Sequence, residues 1–176
     1  MDTPVPLAAL SADELERNLP ELSELLHACV IDGASVGFIL PYAPAQAAAF
    51  WSSKVFPAVR EGTRMLLAAY VDGCVAGTVQ LDCDTPPNQP HRAEVRKLLV
   101  HPRYRRRGIG RALMVDLEQR ARQAQRRLLT LDTRTGDHAE PLYAALGYQR
   151  VGIIPEFCLD VSGQCVDPTT IMYKLL

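Results

Sequence analysis

The sequence predicts an α/β fold, a mixed α+β sheet with helices packed on it, in a single domain spanning residues 1–176. Three observations predict it. Two apolar, β-rich runs are joined by a tight-turn dipeptide, and strands then alternate with amphipathic helices through the second half of the chain. No internal repeat or long linker divides the chain, which is long enough to bury a core without disulfides or metal.

Two helical segments are predicted before the sheet. Residues 11–14 read Ser-Ala-Asp-Glu, a capping box, and apolar residues then recur at helical spacing as far as Cys29. Pro20 predicts that this segment is split into a turn and a longer helix. A second helix is predicted to begin near Pro44 and to run toward Arg60, because proline suits a first helical turn.

The sheet is predicted to begin with a hairpin. Residues 65–71 and 74–82 are apolar strands joined by Asp72 and Gly73, a dipeptide that favours a type I′ turn. A proline-rich loop follows, and residues 93–100 then predict a further strand.

The second half predicts alternating helices and strands. From Ile109 the apolar positions follow one helical face, and Glu118 is assigned to the polar faces. Residues 128–131 are a continuous apolar run, which predicts a central strand covered on both faces. A short helix over residues 137–146 ends at Gly147. The closing strands are predicted at residues 148–154 and 170–175.

Composition excludes several classes of function. A net charge of −1 gives no overall attraction to nucleic acid or to acidic membranes. The chain has no signal-like start and no apolar run of membrane-spanning length, which predicts a cytoplasmic location. The five cysteines are widely spaced without a CxxC pair, so we expect mostly reduced core residues and no metal site. A nucleophilic cysteine would require a nearby histidine, and no local spacing indicates one.

A glycine-containing basic loop over residues 101–112 is the most informative segment. It lies between a predicted strand and an amphipathic helix, and five of the nine residues from Arg103 to Arg111 are arginine. Gly108 and Gly110 allow a sharp turn that brings main-chain N–H groups toward a ligand, and the helix start adds partial positive charge. This chemistry suits a pyrophosphate.

This loop has three other interpretations. It could be a solvated basic turn that only begins a helix, or a nucleic-acid patch. A dinucleotide-binding loop would require the pattern GxGxxG, and the third glycine is replaced by Leu113. The dinucleotide interpretation therefore fails.

The loop matches the pattern RxxGxG from Arg105 to Gly110, and residues 142–148 match LYxxxG[YF] in the order and spacing expected after it. On these motifs the chain resembles the GNAT acetyltransferase superfamily. The similarity extends to one toxin-resistance branch of that family, over residues 32–38, 92–98, 131–133 and 168–171.

The resemblance implies a single GNAT domain with central splayed strands, and acetyl-CoA as cosubstrate without a metal. Many family members carry asparagine where this chain has Gly136, and His138 or a main-chain group is expected to replace it. The expected coenzyme-binding residues are Leu98, Leu99, Val100, Arg105, Arg106, Arg107, Gly108, Ile109, Gly110, Arg111, Ala112, His138 and Tyr143.

The resemblance also implies three catalytic residues. Glu94 and Asp132 are candidates for the general base, since an alkyl amine with a pKa of about 10.4 is mostly protonated at neutral pH. Tyr143 is the candidate acid for the leaving thiolate. Structural alternatives stand beside these roles: Glu94 in an ion pair, Asp132 capping a turn, and Tyr143 as a core aromatic. A main-chain N–H near residues 98–100 is expected to polarise the thioester carbonyl.

The expected function is transfer of an acetyl group from acetyl-CoA to a small-molecule primary amine. The more specific expectation is that this amine is an amino-acid-like toxin or antibiotic. The reaction is expected to proceed by direct attack in a ternary complex. The alternatives are a peptide or protein N-acetyltransferase and a non-catalytic acetyl-CoA-sensing module. No nucleic-acid or membrane partner is expected, and the chain is expected to be a monomer or homodimer.

Overall fold

The computed structural model describes residues 5–176, which form one seven-stranded sheet with helices on both faces. The strands are β1 (Leu7–Ala9), β2 (Arg64–Val71), β3 (Cys74–Asp82), β4 (Arg92–Val100), β5 (Leu128–Arg134), β6 (Gln149–Leu159) and β7 (Val166–Leu175). Their order in the sheet is β1-β2-β3-β4-β5-β7-β6. Neighbouring strands are antiparallel except β4 and β5, which are parallel. The predicted fold class is confirmed.

Among residues 5–176, five α-helices cover the sheet. They are α1 (Leu15–Ile31), α2 (Pro44–Phe50), α3 (Phe56–Arg60), α4 (Ile109–Gln123) and α5 (Ala139–Ala145). A π-helical turn, Trp51–Val55, joins α2 to α3, so the helical path from Pro44 to Arg60 is continuous as predicted. Pro57 lies just after this turn and has no N–H for a regular helical bond, which accounts for the local widening. Over residues 5–176, no helix is both long and apolar enough to cross a membrane.

The predicted break at Pro20 is wrong, because α1 runs uninterrupted from Leu15 to Ile31. Proline removes one helical hydrogen bond, but the flanking residues Leu15 and Leu22 are both fully buried on one face. The burial of a leucine side chain contributes about 1.5–3 kcal/mol, so two such anchors offset the defect.

The predicted hairpin between β2 and β3 is confirmed, with Asp72 at φ 52° and Gly73 at φ 81°. Two consecutive positive φ values are what a type I′ turn requires. Strand β1 was not predicted. It has only three residues and pairs with β2 at the edge of the sheet, from Leu7 opposite Ala69 to Ala9 opposite Leu67. A run this short has no readable periodicity.

Two separate hydrophobic cores lie on opposite faces of the sheet. The α1–α3 face contains Leu22, Trp51 and Leu99, and the Trp51 Nε1–H donates to the carbonyl of Leu22 at 2.8 Å. The α4–α5 face contains Leu113 of α4 and Leu131 of β5. Each layer of helices is therefore anchored to its own side of the sheet.

The prediction that β5 is covered on both faces is wrong beyond its first residues. Leu129 and Leu131 are buried on the α4–α5 face, whereas Thr130 is half-buried and Asp132 is exposed. The run over residues 128–131 does not show this alternation by itself. The exposed residue that does, Asp132, follows the run toward the carboxyl end of β5. This open face borders the candidate active site.

The assignment of Glu118 to a polar face is also wrong. Its carboxylate is buried and accepts a hydrogen bond from the Lys174 ammonium at 2.6 Å, while the same ammonium donates to the Leu146 carbonyl at 2.6 Å. The ion pair joins α4 to β7 and to the end of α5. The partner lies 56 residues away in the sequence, so helical periodicity could not reveal it.

Replacing Lys174 with methionine is expected to lower the free energy of unfolding by about 3 kcal/mol, because it leaves the Glu118 carboxylate buried without a cation. Replacing Glu118 with leucine in the same chain should recover much of the loss. Urea denaturation measures both changes. Arg120→Met, which removes a more exposed ion pair with Asp116, is the control and should cost under about 1 kcal/mol. An equally small loss for Lys174→Met would contradict the role of the pair.

The cysteines match the prediction only in part. All five are free thiols, but only Cys29 is fully buried, whereas Cys74 and Cys165 are exposed. The Cys29 thiol donates to the Val100 carbonyl at 3.5 Å, and burial raises its pKa to about 11. This thiol is therefore protonated at neutral pH and is not an activated nucleophile.

Candidate active site

The parallel strands β4 and β5 separate at the centre of the sheet. Across the described residues, their ladder holds three pairs, beginning at Arg92 opposite Leu128 and ending at Glu94 opposite Thr130. Farther along, β4 stays paired with β3 but parts from β5. The edge of β4 that faces β5 therefore offers main-chain groups to an extended ligand in the gap.

A β-bulge in β4 lies beside this gap. Gln80 of β3 is opposite Arg96, but Thr78 is opposite Leu99, so β4 has one more residue than β3 over this stretch. Lys97 absorbs the extra residue with a left-handed φ of 52°. Bulges redirect side chains and bend the strand, and this one lies where β4 leaves β5.

The predicted basic loop lies between β4 and α4. A short 3₁₀ turn, Pro102–Tyr104, leads into Gly108, whose φ of 75° precedes the first residue of α4. The N–H of Ala112 donates to the Gly108 carbonyl at 3.0 Å, which is the first regular bond of the helix. The N–H groups of the preceding turn have no helical acceptor and are available to an anion.

The two glycines of the loop serve different purposes. A methyl group on Gly108 would meet open space, so its glycine is required by the positive φ. On Gly110 it would lie 3.3 Å from Leu142 of α5 and 3.7 Å from Val100 of β4. Gly110 therefore permits the start of α4 to pack closely against both neighbours.

All arginines of the loop are exposed, and one of them is held by an ion pair. Arg105 forms an ion pair with Asp32 at the end of α1, and its Nε–H donates to the Val100 carbonyl at 3.4 Å. The Arg107 guanidinium lies 5.4 Å from the centre of the Tyr104 ring. Arg105 thus fixes the loop against α1. The guanidinium groups of the other predicted arginines, Arg106, Arg107 and Arg111, belong to exposed residues.

Several predicted coenzyme-binding residues have side chains that are buried or partly buried in the hydrophobic cores. Leu99 is buried in the α1–α3 core, and Ile109 is buried in the α4–α5 core. Leu98 and Val100 are partly buried and pack against the α4–α5 core. Their contribution to a site in the gap is therefore the geometry of their N–H and C=O groups.

The segment before α5 holds the predicted substitute for the missing asparagine. Gly136 has a φ of 79°, and its N–H donates to Glu140 at 2.9 Å. The His138 N–H donates to the Asp137 carboxylate at 2.6 Å, and His138 is exposed. Its main-chain N–H is already occupied, so the imidazole ring is the part left for a ligand.

Tyr143 lies on α5 within the α4–α5 core and is 6% exposed. Its ring centre is 5.7 Å from that of Tyr148. Burial raises the pKa of Tyr143, with further contributions from the carboxylates of Asp132 and Asp137. The phenol therefore remains protonated across the neutral range and can act as a donor.

The two predicted carboxylates lie on the other face of the sheet. Their neighbours Ala93 and Leu131 belong to the α4–α5 core, so strand alternation directs Glu94 and Asp132 toward α1–α3. Glu94 accepts a hydrogen bond from Arg96 at 3.1 Å, and Asp132 accepts one from Thr169 at 3.2 Å. The alternative role of Glu94 in an ion pair is therefore realised, whereas Asp132 bonds to a threonine of β7 and not to the turn that follows β5.

Lys97 also lies on the α1–α3 face. The sequence motifs did not predict it as a site residue. Its ammonium lies 5.9 Å from the ring centres of both Phe38 and Phe50. Burial lowers the pKa of Lys97, followed by repulsion from Arg96, while Asp132 and Glu94 oppose the shift. The two predicted carboxylates and this lysine therefore share one electrostatic neighbourhood.

A mixed sheet that parts between two parallel strands, beside the glycine-opened start of a helix, can hold a ligand with an extended arm and a pyrophosphate. A family model described as the acetyltransferase (GNAT) family matches residues 19–148. The chain belongs to this family. The predicted acyltransferase class and the predicted cosubstrate, acetyl-CoA, are confirmed at the level of the family.

Individual relatives agree with this membership. An uncharacterized N-acetyltransferase in the hisH-hisA intergenic region of Azospirillum brasilense is 30% identical over 126 residues, covering 70% of this chain and 73% of its own. Two solved structures share the fold at 19% identity each. A ribosomal-protein-alanine N-acetyltransferase from Brucella melitensis has a TM-score of 0.78, with 97% of this chain and 99% of its own covered. A phosphinothricin acetyltransferase from Sinorhizobium meliloti, in complex with AcCoA, has a TM-score of 0.77, with 99% and 89% covered.

Proposed function

We propose that this chain, acting as one domain over residues 1–176, transfers an acetyl group from acetyl-CoA to a primary amine of a small molecule. The observation that carries the proposal is the gap between β4 and β5, with Tyr143 on one face and the carboxylates Glu94 and Asp132 on the other. The coenzyme would approach from the α4 side and the amine from the α1–α3 side. Both substrates would then meet across the parted strands.

The coenzyme-holding part of the mechanism uses main-chain groups. The unpaired edge of β4 can hydrogen-bond the amide groups of a pantetheine arm, and the N–H groups at the start of α4 can bind the pyrophosphate. An N–H of β4 near Leu98 would polarise the thioester carbonyl as negative charge develops on its oxygen.

The carboxylates supply the base in this proposal. An alkyl amine with a pKa of about 10.4 must lose a proton before it attacks, and Glu94 or Asp132 accepts that proton directly or through water. The nitrogen then forms a bond to the carbonyl carbon, and the carbon–sulfur bond breaks. Tyr143 donates its proton to the departing thiolate, and the second proton, lost from the nitrogen as the amide forms, returns to the Tyr143 oxygen through water.

The sharper form of the proposal is an amino-acid-like toxin or antibiotic as acceptor. It is supported by the sequence similarity to the tabtoxin resistance acetyltransferase over residues 32–38, 92–98, 131–133 and 168–171. The first two of these segments contain Phe38 and Lys97, which are in contact range on the acceptor side. An amino-acid acceptor would meet charged groups of both signs there.

Thiol release from acetyl-CoA, measured across amino acids, β-lactam toxins, aminoglycosides, polyamines and short peptides, tests the function. The expected result is turnover of at least one small amine, with a mass gain of one acetyl group on the amine. Turnover of peptides alone would instead identify a peptide N-acetyltransferase. Acetyl-CoA binding without turnover of any amine would identify a sensing module and overturn the proposal.

Replacing Asp132 with asparagine is expected to lower kcat/KM at pH 7 by about 10²-fold if it is the base, and Glu94→Gln is the parallel test. The loss should shrink as pH rises, because the neutral fraction of the amine grows about tenfold per pH unit below a pKa of about 10.4. Asp116→Asn, which removes a helix-surface carboxylate, is the control. Full activity of both Asp132→Asn and Glu94→Gln at pH 7 would exclude carboxylate base catalysis.

A further inference from the structure

Lys97 has an environment that ordinary surface lysines lack. The bulge in β4 turns its side chain toward two half-buried aromatic residues, Phe38 and Phe50, whose ring centres are 5.3 Å apart in an edge-to-face arrangement. Its ammonium is 5.9 Å from the centre of each ring. Within residues 5–176, no carboxylate lies within ion-pair distance of this ammonium.

The neighbouring acidic groups are already engaged by other donors. Asp82 pairs with Arg64 at 2.6 Å and with Arg96 at 3.0 Å. Arg96 also pairs with Glu94 at 3.1 Å. The Asp132 carboxylate accepts from Thr169. Within residues 5–176, the protein groups that stabilise the Lys97 cation are therefore the two aromatic faces, with long-range attraction from Asp132 and Glu94.

A partly buried charge in this state is costly. Removing an ammonium from water is unfavourable unless a counter-charge or hydrogen-bond acceptors replace the water, and two aromatic faces replace it only in part. The lowered pKa of Lys97 reflects this cost. A bound anion would remove it, because it supplies both opposite charge and acceptor oxygens.

We propose that Lys97, between Phe38 and Phe50, is an acceptor subsite that binds a carboxylate of the substrate. The inference rests on the proposed function and narrows it: the preferred acceptors are amines that carry a carboxylate a few bonds from the reacting nitrogen. The nitrogen is placed toward Asp132 and Glu94, and the carboxylate toward Lys97. The two phenylalanine rings contact the aliphatic part of the same molecule.

Paired acceptors that share a side chain and differ in the α-carboxylate test the subsite, with kcat/KM expressed per neutral amine because the carboxamide also lowers the pKa of the α-amine. L-phenylalanine, L-methionine and L-glutamate are each compared with the corresponding α-carboxamide in the acetyl-transfer assay. For at least one pair, wild type is expected to show kcat/KM about tenfold or more higher for the acid, the size of one charge-assisted hydrogen bond. Lys97→Gln should remove that ratio, mainly by raising KM for the acid.

Lys54→Gln is the matched control, because Lys54 is exposed on the π-helical turn of the same face and should leave the ratio unchanged. A ratio near one in wild type for every pair turned over would overturn the subsite. So would a ratio that survives in Lys97→Gln.

A second measurement separates failure of the subsite from failure of the function. The chain has three lysines, Lys54, Lys97 and Lys174, so ¹³C-labelled lysine gives three side-chain signals that substitution can assign. With CoA bound, N-acetyl-L-methionine should shift the Lys97 signal and raise its pKa, whereas its carboxamide should not. If no amine is turned over, the proposed function fails, and this titration still decides the subsite. Absence of any carboxylate-dependent shift would overturn it.

Discussion

Replacing Tyr143 with phenylalanine is expected to lower kcat by about 10²-fold or more while leaving the Kd for acetyl-CoA unchanged. The substitution keeps the buried ring in the α4–α5 core and removes only the hydroxyl. Without that donor, the thiolate would leave the tetrahedral intermediate unprotonated. Steady-state kinetics and calorimetric titration with acetyl-CoA measure the two quantities.

The control for Tyr143 is Tyr70→Phe, which removes a hydroxyl that donates to Asn18 on the α1 side of β2. It should leave kcat unchanged. Because burial and Asp132 raise the pKa of Tyr143, the wild-type rate should persist as pH rises through the ordinary tyrosine range near about 10. A kcat for Tyr143→Phe equal to that of wild type would leave Tyr143 as a core aromatic only.

Replacing Gly108 with alanine is expected to raise the Kd for acetyl-CoA by about 10- to 100-fold. Gly108 has a φ of 75°, where an alanine costs about 1–2 kcal/mol, so the loop would relax away from the conformation that aims its N–H groups at the pyrophosphate. Each charge-assisted hydrogen bond lost in this way is worth about 1.5–3 kcal/mol. Fluorescence or calorimetric titration gives the Kd directly.

The chain offers a matched control in Gly62→Ala. Gly62 has a φ of 74°, and a methyl group there also meets open space, but it lies in the turn between α3 and β2. Both variants should lose similar stability in thermal unfolding, and only Gly108→Ala should lose coenzyme affinity. Equal affinities for the two variants would show that the glycine loop does not bind the pyrophosphate.

Local chemistry accounts for the parts of the fold that the sequence predicted well. The turn at Asp72 and Gly73 needs two positive φ values, and the glycine loop needs main-chain freedom before a helix. Each feature depends on a few consecutive residues, so the local sequence is enough to predict it. The gap between β4 and β5 was expected from the family resemblance. Its bulge was not, because it depends on how β4 is paired with β3.

Three other features, the burial of Glu118, the unbroken α1 and the surroundings of Lys97, depend on distant partners. Glu118 is buried because Lys174 reaches it from β7, and α1 tolerates Pro20 because its leucines pack on the sheet. Lys97 could be found on the strand from sequence, but its two aromatic neighbours come from segments about 50 to 60 residues earlier. These contacts between distant residues arise from tertiary packing and cannot be predicted from the periodicity of hydrophobic residues.

Because the two hydrophobic cores lie on opposite faces of the sheet, coenzyme binding and acceptor recognition could change independently during evolution. In the proposed mechanism, residues of the α4–α5 core would support the surface that meets the coenzyme, and residues of the α1–α3 core would support the surface that meets the acceptor. Drift in the segment that carries Phe38 and Phe50 can therefore change which amine is recognised while acetyl-CoA affinity is preserved. Grafting residues 33–60 from a relative with a different acceptor is accordingly a rational first step for redirecting specificity.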